Sequence, residues 1–451
     1  MSIADQLNRS ILLCRDHVAA NLTDQEICHR FQSTRVLLVS NVENLLSHSG
    51  QTAVMTTISL MSRMGVQICL AIPEVEMIYE QPPFEMGLLR RSALASSGQL
   101  ISIATVDEAN HIAPDLTFLL GDTKVPECAS ADWRLVGEEW CGALIREGTG
   151  AARSWKAQWP IGAMVSASLA AGEVFKHVMR GLPFRFDGDQ EFFQASQYCA
   201  WDFGAIAIPR GGIDLGSVDI VSAGAISQAT LFVLTRLPGV RMTGRIFDED
   251  VTGVSNFNRN MLTVVGDLDS RKANLVSARC SSKFSIEPIL GRFTADCREA
   301  ESLAPVVLVG VDDIPSRWQV QARAPGMVVV SGTSHYGVSS SLHRPSEPCS
   351  GCLHPVDDVT AFGEIPTVSF VSFWAGLMMT VRVLRESLGK PYTRDRQHLW
   401  LTPLRMDLRN AAMWSAISPR TDCPVGCAAS RVLRLRGQFA TRGQYHPDSC
   451  A

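Results

Sequence analysis

Between Phe247 and Arg317 the chain carries residue types that loop structure alone does not call for: Asp248-Glu-Asp250, then Ser255-Asn256-Phe-Asn258-Arg259, then Lys272, and later Asp312-Asp313 with Arg317. An acid at the end of the second strand of a doubly wound sheet is placed to accept hydrogen bonds from a ribose, and Asp248 fits that place. Arg259 and Lys272 are cations suited to the charge that builds on a triphosphate attacked at its α-phosphorus. Asp312, at the tip of another strand, can hold Mg²⁺ through its oxygens. Upstream, Val221-Ser-Ala-Gly224-Ala225-Ile-Ser227 runs from an apolar strand into a helix. In that layout unpaired backbone N–H groups and the helix dipole face an anion. Only one glycine stands in the turn, where phosphate-binding fingerprints carry two or three. The bland alternative is that these charges form solvated loop ion pairs.

A second set of residues is spaced like metal ligands. Cys349-Ser-Gly-Cys352 and Cys423-Pro-Val-Gly-Cys427 form two close thiol pairs, and two such knuckles can close a tetrahedral Cys₄ zinc site. The second pair has one more intervening residue than the first. Four ordinary buried cysteines are the alternative.

The elements that must position these residues recur along the chain. Arg35-VLLV and Val218-DIVSAG both read as buried parallel strands leading into helices. Each is followed by a helix, a turn and a second apolar strand. A further strand closes each unit, APDLTFLLGD in the first and APVVLVGVDD in the second, so that Asp122 and Asp312 occupy equivalent places. The helical stretch 163–183 can be laid on 369–391, with Val165-Ser166 on Val371-Ser372 and Lys176 on Arg382. A repeat of about 200 residues is too long for a solenoid unit. The expected fold class is α/β: two tandem Rossmann-like, doubly wound domains, residues 1–190 and 191–451, with the linker between Pro183 and Asp214.

Composition narrows the function classes. At 451 residues, 46% hydrophobic and 19% charged, the chain can bury sizeable cores. The net charge of −4 gives no global field for nucleic acid or an anionic membrane, so neither is expected as a partner. The first residues, MSIADQLNRS, show no secretory signal, and a cytoplasmic location is expected. The apolar run from Ile365 to Val381 falls short of the roughly 20 residues that span a bilayer. Thirteen cysteines in such a chain point to reduced thiols, metal ligands or catalysis.

The pattern in the second half resembles the ThiF/MoeB adenylyltransferases and the ubiquitin-activating enzymes. That family carries a glycine-rich turn, D-x-D, S-N-x-x-R, a Lys thirteen residues beyond that Arg, and an Asp-Asn pair followed by Arg. Here these are Asp248-x-Asp250, Ser255-Asn256-Phe-Asn258-Arg259, Lys272, and Asp312-Asp313 with Arg317. The resemblance implies that Asp248 binds the ribose, Arg259 and Lys272 the phosphates, and Asp312 the Mg²⁺, with Asn256 and Asn258 lining the pocket. Relatives also send an arginine from an N-R-x-I-x-L segment of the partner subunit. Asn8-Arg9-Ser-Ile11-Leu-Leu13 stands in the first half here, and Arg9 would cross over if the halves form an intramolecular pseudo-dimer. Bacterial relatives place a structural zinc on paired cysteines.

Ser222 and Ser227 stand where the family has glycine, and Asp313 where it has Asn; the Cβ of a serine crowds a bound phosphate. The first half, with SNVENLLSHSGQ and AIPEVEM, lacks the motifs and reads as an inactive copy. The implied reaction is adenylation, with ATP and Mg²⁺, of the C-terminal glycine carboxylate of a ubiquitin-like protein in a bacterial, antiviral conjugation system. A conjugating enzyme could take the acyl group, and a homodimer beyond the internal pairing stays open. Alternatives are adenylation of a sulfur carrier or ribosomal peptide, and a scaffold without catalysis. The stretch from Leu353 to Ile365, where relatives carry a thioester cysteine, has none, which leaves Cys280 and Cys297 as candidate nucleophiles. His335 and His343 form no triad.

Overall fold

The computed structural model describes residues 2–96, 103–105, 113–124, 131–149, 155–294, 296–297, 302–356 and 365–442. Short apolar runs become strands in two sheets. The first comprises β1 (Arg35–Val39), β2 (Gln67–Ala71), β3 (Ile103–Thr105), β4 (Leu116–Leu120), β5 (Trp133–Gly137), β6 (Cys141–Arg146) and β7 (Tyr198–Asp202). The second comprises β8 (Ile213–Val221), β9 (Val240–Phe247), β10 (Ser285–Ile289), β11 (Val306–Val309), β12 (Met327–Ser334), β13 (Gly337–His343), β14 (His398–Leu401) and β15 (Ala412–Ser415).

The strand orders are β3-β2-β1-β4-β5-β6-β7 and β10-β9-β8-β11-β12-β13-β14-β15. The first five strands of each sheet are parallel, in the order of a doubly wound nucleotide-binding fold. Each sheet then turns antiparallel, through β6 and β7 in one and β13 to β15 in the other. Both sheets are therefore mixed, where the sequence predicted only the parallel unit. β7 pairs with β6 from Tyr198 to Asp202, so the first sheet runs past residue 190, where the division was expected. The strand pairing, and not the loop composition at 183–214, decides where that sheet stops.

Four helices fill the space between the sheets: His48–Ser62, Ile161–Arg180, Ala225–Thr235 and Ser369–Ser387. Nearly every residue on them is buried, so none shows the one-sided apolar stripe of a surface helix, and the polar residues they carry are buried with the apolar ones. A single hydrophobic cluster runs from Leu7 and Leu38 of the first half to Phe232, Trp374 and Leu404 of the second. The Ser369 hydroxyl donates across the seam to the Leu60 carbonyl at 2.8 Å. The two cations matched by the repeat are both buried. Lys176 is held by Glu173 at 2.7 Å and the Ser196 hydroxyl at 2.6 Å, and Arg382 donates to the Ser340 carbonyl at 2.9 Å. Most of the run Ile365–Val381 lies in the last of these helices, and no helix among the described residues is long and apolar enough to cross a membrane.

Two of the seam helices approach closely at Gly376, where a Cβ would lie 2.5 Å from the Ala229 Cβ and 2.6 Å from the Thr230 nitrogen. At Gly172, also mid-helix, a Cβ would meet only Leu404 and Phe370, at 3.9 and 4.0 Å. Gly376→Ala is expected to destabilise by about 1–3 kcal/mol through overpacking. Gly172→Ala is expected to stabilise by up to about 1 kcal/mol through reduced unfolded-state freedom. Thermal unfolding of both variants checks the contrast; equal midpoints would refute the close helix contact.

Candidate functional site

Because β8 lies between β9 and β11, the carboxyl ends of these strands frame the crevice where a doubly wound sheet reverses its strand order. A cavity of about 300 Å³ lies there, lined among others by Ser222, Asp248, Asp250, Arg292, Asp312 and Asp313. Among the described residues its lining carries five acids, Asp248, Glu249, Asp250, Asp312 and Asp313, and one cation, Arg292. A polyanion entering alone would be repelled, so the site suits a polyanion that brings a divalent cation.

β8 ends at Val221, and three residues later the helix Ala225–Thr235 begins at Gly224 with no side-chain cap. Ser222 has φ +80°, a conformation glycine takes without strain and serine does not. Its hydroxyl accepts the Gly224 N–H at 3.0 Å, and the Ala223 N–H donates to Asp248 Oδ2 at 2.7 Å. Two of the N–H groups at this turn are thus paired within the protein. Asp248 also accepts the Asp250 N–H at 2.8 Å, so it joins the turn to the end of β9. Ser227 is fully buried, its hydroxyl unpartnered among the described residues, and it fills the space a Cβ on Gly310 would need at 2.7 Å.

The basic residues flank the cavity. Lys272 opens the helix Lys272–Cys280 and reaches the lining through Asp250, Nζ to Oδ2 at 2.8 Å. Asn256 caps its own short turn by accepting the Gly253 N–H at 2.9 Å. Arg259 folds back onto the Ser255 carbonyl and onto Asn258 Oδ1 at 2.9 Å. Buried Asn258 donates to the Ser10 hydroxyl at 3.3 Å, which brings the N-terminal helix Ile3–Arg15 against this loop. On that helix Arg9 donates to the Ile365 carbonyl at 3.1 Å. Asp248, Asp250 and Asp312 therefore share one cavity, while Arg9, Asn256, Asn258 and Arg259 lie on the adjoining loop and helix.

The same crevice in the first sheet is filled by protein. Between β1 and the helix His48–Ser62 the chain inserts a short helix, Val42–Leu45, where the second half has only Ser222–Gly224. Buried Asn44 donates to the Leu120 carbonyl at 2.9 Å and to Asp122 at 3.1 Å, and accepts the Trp155 N–H at 2.8 Å. Asp122, the counterpart of Asp312, is thus tied into this plug, and also accepts from Asn41 at 3.1 Å.

The four spaced cysteines come together. Their sulfurs all lie within 4.8 Å of one another, with Cys349–Cys423 at 3.5 Å and Cys352–Cys427 at 3.6 Å, amid Ile417, Leu353 and Val425. Sulfurs of a tetrahedral Zn–S₄ site with bonds of about 2.3 Å sit roughly 3.8 Å apart, so the cluster can hold a zinc ion. Hydrogen bonding between Cys349 and Cys352 pulls the Cys352 thiol down while it pushes Cys349 up, so the thiolate of this pair is favoured on Cys352. Gly426, with φ +61°, absorbs the extra residue of the second knuckle, and a Cβ on Gly351 would meet Val425 at 2.8 Å. The knuckles touch the crevice through the helix Ile314–Ala322, which begins at Asp313. The Ser350 hydroxyl donates to the Arg317 carbonyl at 3.3 Å, and Trp318 donates to the His354 carbonyl at 2.9 Å.

Other expected groups fall elsewhere. Cys280 is fully buried, and burial pushes its thiol up to about 12, so it is not a ready nucleophile; Cys297 is half-buried. His335 is exposed and pairs with Asp16 at 3.3 Å, whereas His343 is buried and held near 4 by desolvation. Much of the Leu353–Ile365 stretch, 357–364, lies outside the described residues. Sequence reasoning missed Arg292, 3.8 Å from Asp313; its signal is a cation just past the carboxyl end of β10. It also missed Arg63, whose guanidinium donates to the carbonyls of Asn260, Met261 and Thr263 at 2.8–3.0 Å and so holds the loop behind Arg259. A lone arginine at a helix end carries no sequence signal of such a role.

A family model described as the BilD N-terminal domain matches residues 35–186. The uncharacterized protein y4jF of Sinorhizobium fredii (strain NBRC 101917 / NGR234) is 23% identical over 223 residues, covering 48% of this chain and 42% of that protein. This chain thus spans less than half of that relative's length. Among solved structures, the crystal structure of SeMet PaaA is similar with a TM-score of 0.37 and 14% identity, over 45% of this chain and 64% of that one. That of E. coli MccB with MccA-N7isoASN has a TM-score of 0.40 and 11% identity, over 66% of this chain and 98% of that one. The family match falls on the first sheet and its helices, while the open crevice and the four cysteines lie beyond it.

Proposed function

We propose that the chain is an ATP-dependent adenylyltransferase that activates the C-terminal glycine carboxylate of a ubiquitin-like protein in a bacterial conjugation-type system. The carrying observation is the open crevice at the reversal of strand order in the second sheet, with Asp248, Asp250 and Asp312 on its walls and Lys272 paired to Asp250. The similarity of residues 35–186 to the BilD N-terminal domain, tied to bacterial ubiquitin-like conjugation operons, supports the setting.

In this reading the second sheet and its helices, from Ile213 onward, form the adenylating domain, and the first half, through β7, is a degenerate partner, the two making an intramolecular pseudo-dimer. Asp248 receives the ribose hydroxyls, and the turn at Gly224 and Ala225 faces the phosphates. Mg²⁺ held by Asp312 would neutralise polyphosphate charge among the acids. On nucleotide entry Lys272 exchanges Asp250 for phosphate oxygen. Arg259 leaves Asn258, and Arg9 enters from the first half. The carboxylate attacks the α-phosphorus, the bond to the pyrophosphate breaks, and an acyl-adenylate forms; positioning and cations carry the step, with no general base required. Zinc in the four-cysteine cluster is structural.

A scaffold without catalysis is the second reading, favoured by one observation: the Ser222 hydroxyl already occupies the Gly224 N–H. One assay separates the two, pyrophosphate exchange into ATP with a panel of ubiquitin-like proteins ending in glycine. Exchange is expected to require the partner and to fall about 10²- to 10³-fold in Asp312→Ala and in Lys272→Ala. Ser222→Gly, which removes both the strain and the competing hydroxyl, is expected to tighten ATP. Absence of exchange with every partner, in wild type and in Ser222→Gly alike, would sink the enzymatic reading.

Metal analysis of the purified chain is expected to give one zinc, lost in Cys352→Ser or with a strong chelator. Loss should lower the unfolding midpoint and slow exchange, because the helix from Asp313 loses its anchor at Ser350 and His354. A chain with four reduced thiols and no zinc would exclude the metal.

A further inference from the structure

At the other end of the helix Ala225–Thr235 from the turn at Ser222–Gly224, the seam between the halves encloses a second cavity of about 100 Å³, several times what one water needs. The first half lends it Tyr79 and Pro82, and the second Thr235, Arg236, Ser282 and Lys283. Arg236 is 1% exposed. Its Nη1 donates to the Phe232 carbonyl at 2.8 Å and its Nη2 to the carbonyls of Gln81 and Pro82 at 3.2 and 2.9 Å. Its Nε is buried with no partner among the described residues. Lys283 donates to the Leu237 carbonyl at 2.9 Å.

No carboxylate among the described residues hydrogen-bonds either cation, and burial pulls both below their ordinary range, the Arg63 charge adding to it at Arg236. The neighbouring His48 brings no negative charge; it donates to the Arg236 carbonyl at 2.6 Å and desolvation keeps it neutral, near 4. Glu80, the one acid in the lining, stands exposed at the rim. A buried guanidinium beside a half-buried ammonium, each hydrogen-bonded to carbonyls and to no carboxylate among the described residues, makes an electrostatically unfinished site, since a buried charge is ordinarily matched by an opposite one.

We propose that this cavity binds a small oxyanion of the phosphate class between Arg236 and Lys283, with the Ser282 and Tyr79 hydroxyls beside it, bridging the two halves. The site is independent of the nucleotide crevice. It is too small for a nucleotide, and it sits a helix length away, on the order of 15 Å for a helix of this size.

The test is titration of inorganic phosphate into the full chain at constant ionic strength, followed by calorimetry and by the thermal midpoint. Saturable heat is expected, with a midpoint that rises as ligand binding to the folded state requires. Variants of Arg236 can fail to fold, so the deciding variant is Lys283→Gln, half-buried at the cavity, expected to fold normally and to weaken phosphate at least about tenfold. Lys272→Ala, in the other crevice, is expected to leave the affinity unchanged. No saturable binding, or binding that survives Lys283→Gln intact, overturns the proposal. Binding lost in Lys272→Ala also overturns it, by assigning the phosphate to the nucleotide crevice.

Discussion

The geometry of the open crevice depends on a guanidinium supplied by the other half of the chain. Arg63 ends the helix His48–Ser62 and donates to the carbonyls of Asn260, Met261 and Thr263, while Gln228 accepts from the Leu262 N–H at 3.1 Å and from the Thr263 hydroxyl at 3.0 Å. The segment carrying Asn256, Asn258 and Arg259 is short helical turns and loop, with no ladder of backbone hydrogen bonds to fix it. Its carbonyls must find donors or remain unsatisfied at a cost of about 1–3 kcal/mol each. Burial lowers the Arg63 pKa to about 10, which still leaves it charged at neutral pH, so these are the stronger, charge-assisted bonds. The first half is therefore required for the second half's site, whatever chemistry the first half lacks.

The same dependence explains how two sheets with one strand order have diverged. In the first, Asn44 and Asp122 satisfy each other in the crevice, and a closed polar network of this kind rigidifies and excludes ligand. In the second, the turn is shorter and the acids face a cavity. The difference arises in the residues between strand and helix, 40–47 against 222–224, and leaves the strand pairing and the seam helices untouched.

Much of this was legible in the sequence, for identifiable reasons. Continuous apolar runs such as Arg35–Val39 mark strands buried on both faces, and an acid just beyond such a run, as at Asp248 or Asp312, marks a crevice wall. Cysteine spacing identified the four-thiol cluster because ligand geometry limits the number of intervening residues. The antiparallel strands β13 to β15 were not legible. Ser339–Ser341 in β13 is as polar as a loop, and those serines are satisfied only by partners such as Ser331, His398 and Arg382. Arg63 was invisible for a related reason: its acceptors are backbone carbonyls nearly 200 residues away, and carbonyls have no sequence signature. At Ser222 the sequence registers a missing glycine, whereas only the backbone shows the positive φ that makes it costly.

The four-cysteine cluster fits into the same scheme as a support. All four sulfurs point at one another, so a tetrahedral ion there would have no open coordination position for substrate or water, which separates a structural from a catalytic site. Its mechanical connection runs through Ser350 and His354 to the helix that starts at Asp313. That helix is held at its other face by Arg317, which donates twice to the Val311 carbonyl, at 3.1 and 2.8 Å, in the residue just before Asp312. Arg317 is buried, and desolvation lowers its pKa, so it pays for that position only because the Val311 carbonyl and the nearby Asp312 and Asp313 charges compensate it. The acid placed to meet a cation is thus fixed from two directions, by a buried guanidinium on the helix that follows it and by a thiol cluster packed against that helix. A loop residue gains in this way the positional precision that strand residues such as those of β9 obtain from their ladder.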